Sequence, residues 1–338
     1  MPVCRAKDRR TKIRSIRAAV LRMLQQMLRS IPWPGAASAG LLLLTIAGPV
    51  YRAADPEKLE LTAEVRSTVP GSFVSLKDGY THYELAGPPG GRVVVLACGA
   101  TVPYYVWDPT LKALTGAGFR VLRYDYYGRG YSDRPDIAYN QDLYVRQLTQ
   151  LLDALNIREP IDLAGLSFGG SLITSFADRY PQRVRSLVYV DPGFREPYTV
   201  EDIARVKSAW EFFTAVFEEN TWAEGQLDDF LHPERFPDWP DRYRVQLQYK
   251  GFRRARLSEA ITNEKANQSA EIIRVGRHTR PVLLIWGKQD TNVAFENSAD
   301  LLKVMPRAKL VAVDSAGHLP QWEQPDVVHT AWIAFLNR

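Results

Sequence analysis

Ser167 stands in Gly165-Leu166-Ser167-Phe168-Gly169, a G-x-S-x-G segment between the apolar run Ile161–Leu166 and the helical pattern Gly169–Tyr180. In that strand–turn–helix setting the spacing points to a serine nucleophile on a tight turn, its hydroxyl standing clear of a sheet. The turn demands strained backbone angles, and side chains two residues either side would collide, so glycines flank it. The helix that follows would aim its N-terminus at the reacting group, and the N–H of Phe168 could stabilise a developing oxyanion. Such a serine attacks a carbonyl carbon only when a base takes its proton.

Five histidines are available. His82 reads as a half-exposed strand residue, His232 and His278 fall in or beside a region without strands, and His329 reads as a surface residue of the last helix. His318 follows the final apolar run in Asp314-Ser315-Ala316-Gly317-His318-Leu319-Pro320. That loop lies at the sheet edge where Ser167 emerges and where α/β sheets bind ligands. The carboxylate that orients the base should leave another strand at the same edge. Asp290, just past Pro281–Gly287, fits best; Asp191, ending Ser186–Asp191, is the rival, and Asp314 reads as a turn residue.

These positions require a particular frame. Phe73–Leu76 and Tyr80–Leu85 read as an antiparallel pair turned at Asp78-Gly79. The runs Arg92–Cys98, Arg120–Asp125, Ile161–Leu166, Ser186–Asp191, Pro281–Gly287 and Ala308–Val313 read as strands, several of them apolar throughout, as strands covered on both faces are. Helical patterns at Leu111–Ala117, Asp142–Asn156, Phe295–Met305 and Asp326–Leu336 alternate with them, which predicts a mostly parallel α/β sheet. From 194 to 277 the alternation stops. That stretch is rich in Trp, Phe, Arg and Glu and reads as an inserted helical cap.

With 46% apolar and 24% charged residues, disordered and collagen-like classes are excluded. The net charge of +5 belongs to the N-terminus: residues 1–31 carry nine Lys and Arg against Asp8, a net +8, which leaves −3 for the rest. A nucleic-acid surface spread over the folded part is not supported. Cys4 and Cys98 imply no disulfide framework and no metal site. Residues 13–31 space apolar side chains at mostly helical intervals between arginines, as a membrane-surface helix does, or as an unstructured extension ahead of a later start at Met23 or Met27. Ala36–Val50 is apolar but short for a full span. It is expected to act as an anchor or an export signal, making the protein membrane-associated or exported; without a targeting role for it, the protein is cytoplasmic. The expected organisation is 1–54 extension and apolar segment, 55–71 polar linker, 72–193 first part of the core, 194–277 cap and 278–338 second part of the core.

From about 72 to 338 the chain resembles the α/β-hydrolase superfamily, through RYDYYGRGYSDRP, GLSFGG, WGKQDTNV and AGHLPQWEQPD in family order. The resemblance implies an eight-stranded sheet, a cap over the site, no cofactor, and acyl transfer through an acyl-enzyme. By position it makes Ala100 N–H the second oxyanion donor. Family members usually end the third strand in His-Gly, where this chain has Cys98-Gly99-Ala100-Thr101. Loss of one oxyanion donor typically costs about 3 kcal/mol, so the set of this loop matters. Dehalogenases and epoxide hydrolases of this fold use an Asp nucleophile, and Ser167 argues against both. The expected reaction is hydrolysis of a small carboxylic ester. Two alternatives are a C–C bond hydrolase acting on ring-fission products with the same triad, and a ligand receptor on this fold. Cap aromatics such as Trp210, Trp222, Phe230, Phe236 and Trp239 either line an acyl pocket or pack the cap's own core. The cap arginines Arg195, Arg205, Arg235, Arg242, Arg244, Arg253, Arg254 and Arg256 either form a solvated face or include one that pairs with a substrate carboxylate, as in a dicarboxylic half-ester.

Overall fold

The computed structural model describes residues 48–194, 200, 206–264 and 266–338. Residues 56–338 form one compact unit. The basic tail and nearly all of the apolar run Ala36–Val50 lie outside the described residues. Among those described, no helix is long and apolar enough to cross a membrane.

Eight strands form one sheet: β1 Ser72–Leu76, β2 Gly79–Ala86, β3 Val93–Ala97, β4 Arg120–Tyr124, β5 Ile161–Leu166, β6 Val184–Val190, β7 Val282–Gly287 and β8 Lys309–Val313. Their spatial order is β1-β2-β4-β3-β5-β6-β7-β8. β1 and β2 pair antiparallel through the Asp78-Gly79 turn, and β2 runs antiparallel to β4; every later pairing is parallel. Antiparallel neighbours need only a tight turn, whereas each parallel step needs a crossover helix, which is why the hairpin comes first and the alternation follows. The order reverses between β3 and β5, so the loops leaving these two strands diverge and leave a crevice at their C-terminal ends.

The central strands are apolar because both faces are covered. β5 and β7 are buried at every position, and Trp107, Trp286 and Trp332 are fully enclosed, with Trp107 and Trp332 edge to face at 6.0 Å. Among the described residues, the long excursion between β6 and β7 contains helices and no strand, as the composition predicts. Lys207–Phe213, Glu219–Gly225, Trp239–Leu247, Phe252–Asn263 and Ser269–Gly276 are its principal helices.

Residues 55–71, read from sequence as a polar linker, are tied to this insertion. Leu59 forms an isolated parallel bridge with Tyr249. The buried Glu57 carboxylate accepts the N–H groups of Gly251 and Arg253 at 2.6 Å each. Thr62 then caps a short helix, Ala63–Thr68.

His329 departs from its surface reading. It is 7% exposed on the helix Pro325–Leu336, with Nε2 3.0 Å from Thr110 Oγ1. Burial pulls its pKa down from 6.5 to about 4. The unfolded chain therefore takes up this proton first as pH falls, and stability declines between about 6.5 and about 4. The loss is expected to be on the order of 3 kcal/mol, and His329→Gln is expected to flatten it, as read by the melting temperature across that window.

Candidate active site

β5 delivers Ser167 into a conformation that a side-chain-bearing residue rarely adopts, φ 51° and ψ −119°. Three backbone hydrogen bonds hold it there. Ser167 N–H donates to Val190 O at 3.0 Å, and Ser167 O accepts from Gly170 at 2.8 Å and Gly193 at 2.9 Å. The flanking glycines are required by contact: a Cβ on Gly165 would lie 2.3 Å from Gly169 O, and one on Gly169 would lie 2.5 Å from Ala97 O. Ser167 is thus raised at the crevice between β3 and β5, immediately ahead of the helix Phe168–Arg179.

The loops after β7 and β8 bring Asp290 and His318 together. His318 Nδ1 lies 2.7 Å from Asp290 Oδ2, with both residues buried. A carboxylate only accepts, so Nδ1 carries the proton and Nε2 is left with its lone pair. Asp290 Oδ1 accepts Asn292 N–H at 2.7 Å and Val293 N–H at 3.0 Å, which fixes the carboxylate. Burial works to lower the His318 pKa, but the Asp290 hydrogen bond and charge, joined by the Asp229 charge, outweigh it and hold it above the ordinary 6.5. Its backbone N–H donates to Asp229 O at 2.8 Å, so the insertion touches His318 directly. Among the described residues, Ser167 Oγ makes no hydrogen bond to the imidazole; the serine link is open and the His–Asp link closed. Asp191, the rival acid, has an oxygen within 4.8 Å of both Asp290 and His318, but the hydrogen bond to His318 Nδ1 is made by Asp290.

The loop after β3 abuts Ser167: a Cβ on Gly99 would sit 3.7 Å from Ser167 Cβ. Its carbonyls are gripped one after another. Cys98 O accepts Tyr126 Oη–H at 2.8 Å, Ala100 O accepts Arg129 Nε–H at 2.7 Å, and Thr101 O accepts Gln246 Nε2–H at 2.9 Å. Cys98, standing where the family resemblance leads one to expect His, is buried with its Sγ 3.5 Å from Tyr124 O. Burial pushes the thiol pKa well up, so it packs as an unreactive small side chain.

Residues 94–331 match the family described as "Alpha/beta hydrolase family". The chain belongs to the α/β hydrolase family. A 2-hydroxy-6-oxononadienedioate/2-hydroxy-6-oxononatrienedioate hydrolase of Cupriavidus pinatubonensis is 26% identical over 296 residues, covering 78% of this chain and 94% of that protein. The carboxylesterase YbfK of Bacillus subtilis is 28% identical over 278 residues, covering 78% and 86% respectively. A hydrolase structure from Pseudomonas aeruginosa aligns at a TM-score of 0.65 with 27% identity, over 79% of this chain and 98% of that one.

Within this hydrolase, Arg129 joins sheet and insertion in a way that spacing alone does not reveal. Its guanidinium, 1% exposed, donates to Ala100 O, to Gly128 O at 3.0 Å and to Glu259 Oε2 at 2.5 Å, and lies over the Phe252 ring. Glu259 and Phe252 belong to the inserted helix Phe252–Asn263. Arg129→Ala would leave the buried Glu259 carboxylate with only the longer Arg256 contact at 3.4 Å, and would release Ala100 O. It is expected to destabilise by about 3–5 kcal/mol and to lower kcat more than it raises KM, as measured by denaturation and ester kinetics.

The insertion's aromatics largely pack on one another. Phe230 stacks on Phe236 at 4.1 Å, and Trp239 meets Phe230 at 5.1 Å and Trp322 at 5.0 Å. Its described arginines also have protein partners: Arg253 with Glu219, Arg242 with Asp108, Arg244 with Glu224 and Asp241, Arg254 with Asp136, and Arg256 with Glu259, while Arg235 donates to Glu323 O. Arg195 and Arg205 lie outside the described residues.

His82 is buried rather than half-exposed. Its Nδ1 lies 2.7 Å from Asp125 Oδ2 and its Nε2 2.7 Å from Pro70 O, which engages both ring nitrogens structurally. A cavity of about 440 Å³ beside it is lined by Tyr104, Tyr105, Arg123 and Arg242; none of Ser167, Asp290 and His318 borders it.

Proposed function

We propose that this hydrolase cleaves carboxylic esters through an acyl-enzyme, with Ser167 as nucleophile, His318 as base and Asp290 as its orienting acid. The observation that carries this reading is the strained, glycine-flanked Ser167 at the same sheet edge as a His318–Asp290 pair 2.7 Å apart. Ser167 Oγ attacks the ester carbon while Nε2 of His318 takes its proton. The carbonyl electron pair moves to oxygen, stabilised by Phe168 N–H and Ala100 N–H. Collapse expels the alcohol, which leaves with the proton held on His318. Water, activated by the same base, then attacks the acyl carbon and releases the acid, restoring Ser167.

Hydrolysis of p-nitrophenyl esters of graded acyl length, with a phosphonate serine probe, tests the reading; stoichiometric labelling of Ser167 with turnover supports it, and absence of both removes it. Because His318 must be neutral to act, kcat/KM is expected to fall with unit slope as pH drops through a value above 6.5. Carbon–carbon hydrolysis of dienoate ring-fission products by the same residues is the second reading, supported by the likeness to the 2-hydroxy-6-oxononadienedioate hydrolase of Cupriavidus. Labelling without ester turnover, with dienoate turnover, selects it. Esters bearing a free carboxylate are a subclass of the first reading, and equal rates on neutral and anionic esters argue against it. Ala36–Val50 supports attachment to a membrane or export, which fractionation of the full chain against residues 55–338 checks.

A further inference from the structure

A second acid stands close to Asp290 and His318. Asp191 ends β6 in the left-handed backbone region at φ 42° and is wholly buried. Its N–H donates to Ile285 O at 3.0 Å and its Oδ1 accepts Gly287 N–H at 2.9 Å, so β7 fixes both backbone and side chain. Its Oδ2 is buried and receives no donor among the described residues. One oxygen of Asp191, one oxygen of Asp290 and a ring nitrogen of His318 lie within 4.8 Å of one another.

Two carboxylates this close and this dry cannot both ionise without strong repulsion, so the pair retains a proton. The surroundings decide which acid keeps it. Asp290 receives two backbone N–H groups and the imidazole N–H, all of which favour its charged form. Asp191 receives a single backbone N–H and, among the described residues, forms no ion pair with a lysine or arginine. A buried acceptor-only oxygen with another carboxylate close by becomes a satisfied group once it bears hydrogen.

We propose that Asp191 is kept as a neutral carboxylic acid whose Oδ2–H donates to the Asp290 carboxylate, making it a positioning residue for the acid that orients His318. The proposal rests on the roles given above to Asp290 and His318. Burial first, and then the Asp290 charge, push the Asp191 carboxyl well above the carboxylate range, in the same direction as the geometry. Two further carboxylates face the cluster. Glu323, buried on the helix Pro320–Glu323, accepts Gly317 N–H at 2.6 Å, and Asp229 of the insertion adds negative charge near His318. Ionised Asp191 would thus be another negative charge in an already anionic nest. It would hold His318 protonated to higher pH and take the base out of use near neutrality.

The test compares Asp191→Asn, which keeps a donor without charge, with Asp191→Ala, which removes the donor. At neutral pH the infrared difference between wild type and Asp191→Asn should contain a protonated-carboxyl C=O band; its absence overturns the proposal. The acid limb of kcat/KM should stay in place in Asp191→Asn. A fall of about one unit or more would mean that a negative charge had been removed beside the imidazole, and would also overturn it. Asp191→Ala should lose about tenfold or more in kcat, with Asp191→Asn recovering most of that loss; equal kcat in Asp191→Ala and wild type removes the positioning role. If Asp191→Ala does not fold, the infrared band and the His318 Nδ1–H proton resonance in wild type and Asp191→Asn decide the matter. Those spectra need no turnover, so inertness toward esters would count against the proposed function alone.

Discussion

Ser167→Ala is expected to lower kcat on a p-nitrophenyl ester by about 10,000-fold or more and to abolish phosphonate labelling, with the fold intact. Nothing in the turn depends on Oγ: the three bonds that hold residue 167 are all made by its backbone N–H and C=O. The companion variant is more diagnostic. Ser167→Gly loses the same hydroxyl but also relieves a positive φ, which typically costs about 1–3 kcal/mol for a side-chain-bearing residue. It should melt above both wild type and Ser167→Ala while being equally inactive. A Ser167→Gly protein less stable than Ser167→Ala would mean that the backbone at 167 is not under the strain its angles imply.

Asp290→Asn is expected to cost about 10,000-fold in kcat through a tautomer change with almost no change in shape. The reason lies in which oxygen each partner needs. Asn292 and Val293 both donate to Oδ1, so the amide of an asparagine must put its C=O there. Its NH2 then occupies the Oδ2 position, facing His318 Nδ1. Two donors cannot share that bond, and the imidazole must move its proton to Nε2, where it can no longer accept from Ser167. Kinetics together with the imidazole nitrogen resonances check this. An Asp290→Asn protein that keeps Nδ1 protonated and turns over within tenfold of wild type would remove Asp290 as the orienting acid.

The parts legible in the sequence are those encoded by short-range pattern. A G-x-S-x-G segment is interpretable because part of the steric conflict it avoids is local: a Cβ on Gly165 would meet Gly169 O at 2.3 Å, whereas one on Gly169 would meet Ala97 O of β3 at 2.5 Å. Asp290 and His318 stand after β7 and β8 because continuous apolar runs mark where those strands end. The eight strands and the strandless insertion were legible for the same reason. What escaped is long-range and polar. Arg129 meets Glu259 across 130 positions of chain, and His82 meets Asp125 across 43. Neither pairing leaves a periodic trace, since hydrophobic spacing reports which face is buried and not which acid waits there. His329 misled because the amphipathic pattern of a terminal helix says little about a single polar residue turned inward toward Thr110. Residues 55–71 misled because polar composition suggests a tether, yet Glu57 is one of the buried acids.

That last feature separates two boundaries that are usually treated as one. The sheet begins at Ser72, but the compact unit begins at Pro56. A protein trimmed to the first strand would retain every reacting group and every strand, yet leave the amides of Gly251 and Arg253 without the carboxylate that receives them. Unanswered buried N–H groups at the head of Phe252–Asn263 would loosen the same helix that carries Glu259, Arg129's partner. The fold is thus recognised from the sheet, whereas its integrity is expected to depend on the sixteen-residue amino-terminal strap directly ahead of it, running from Pro56 to Gly71.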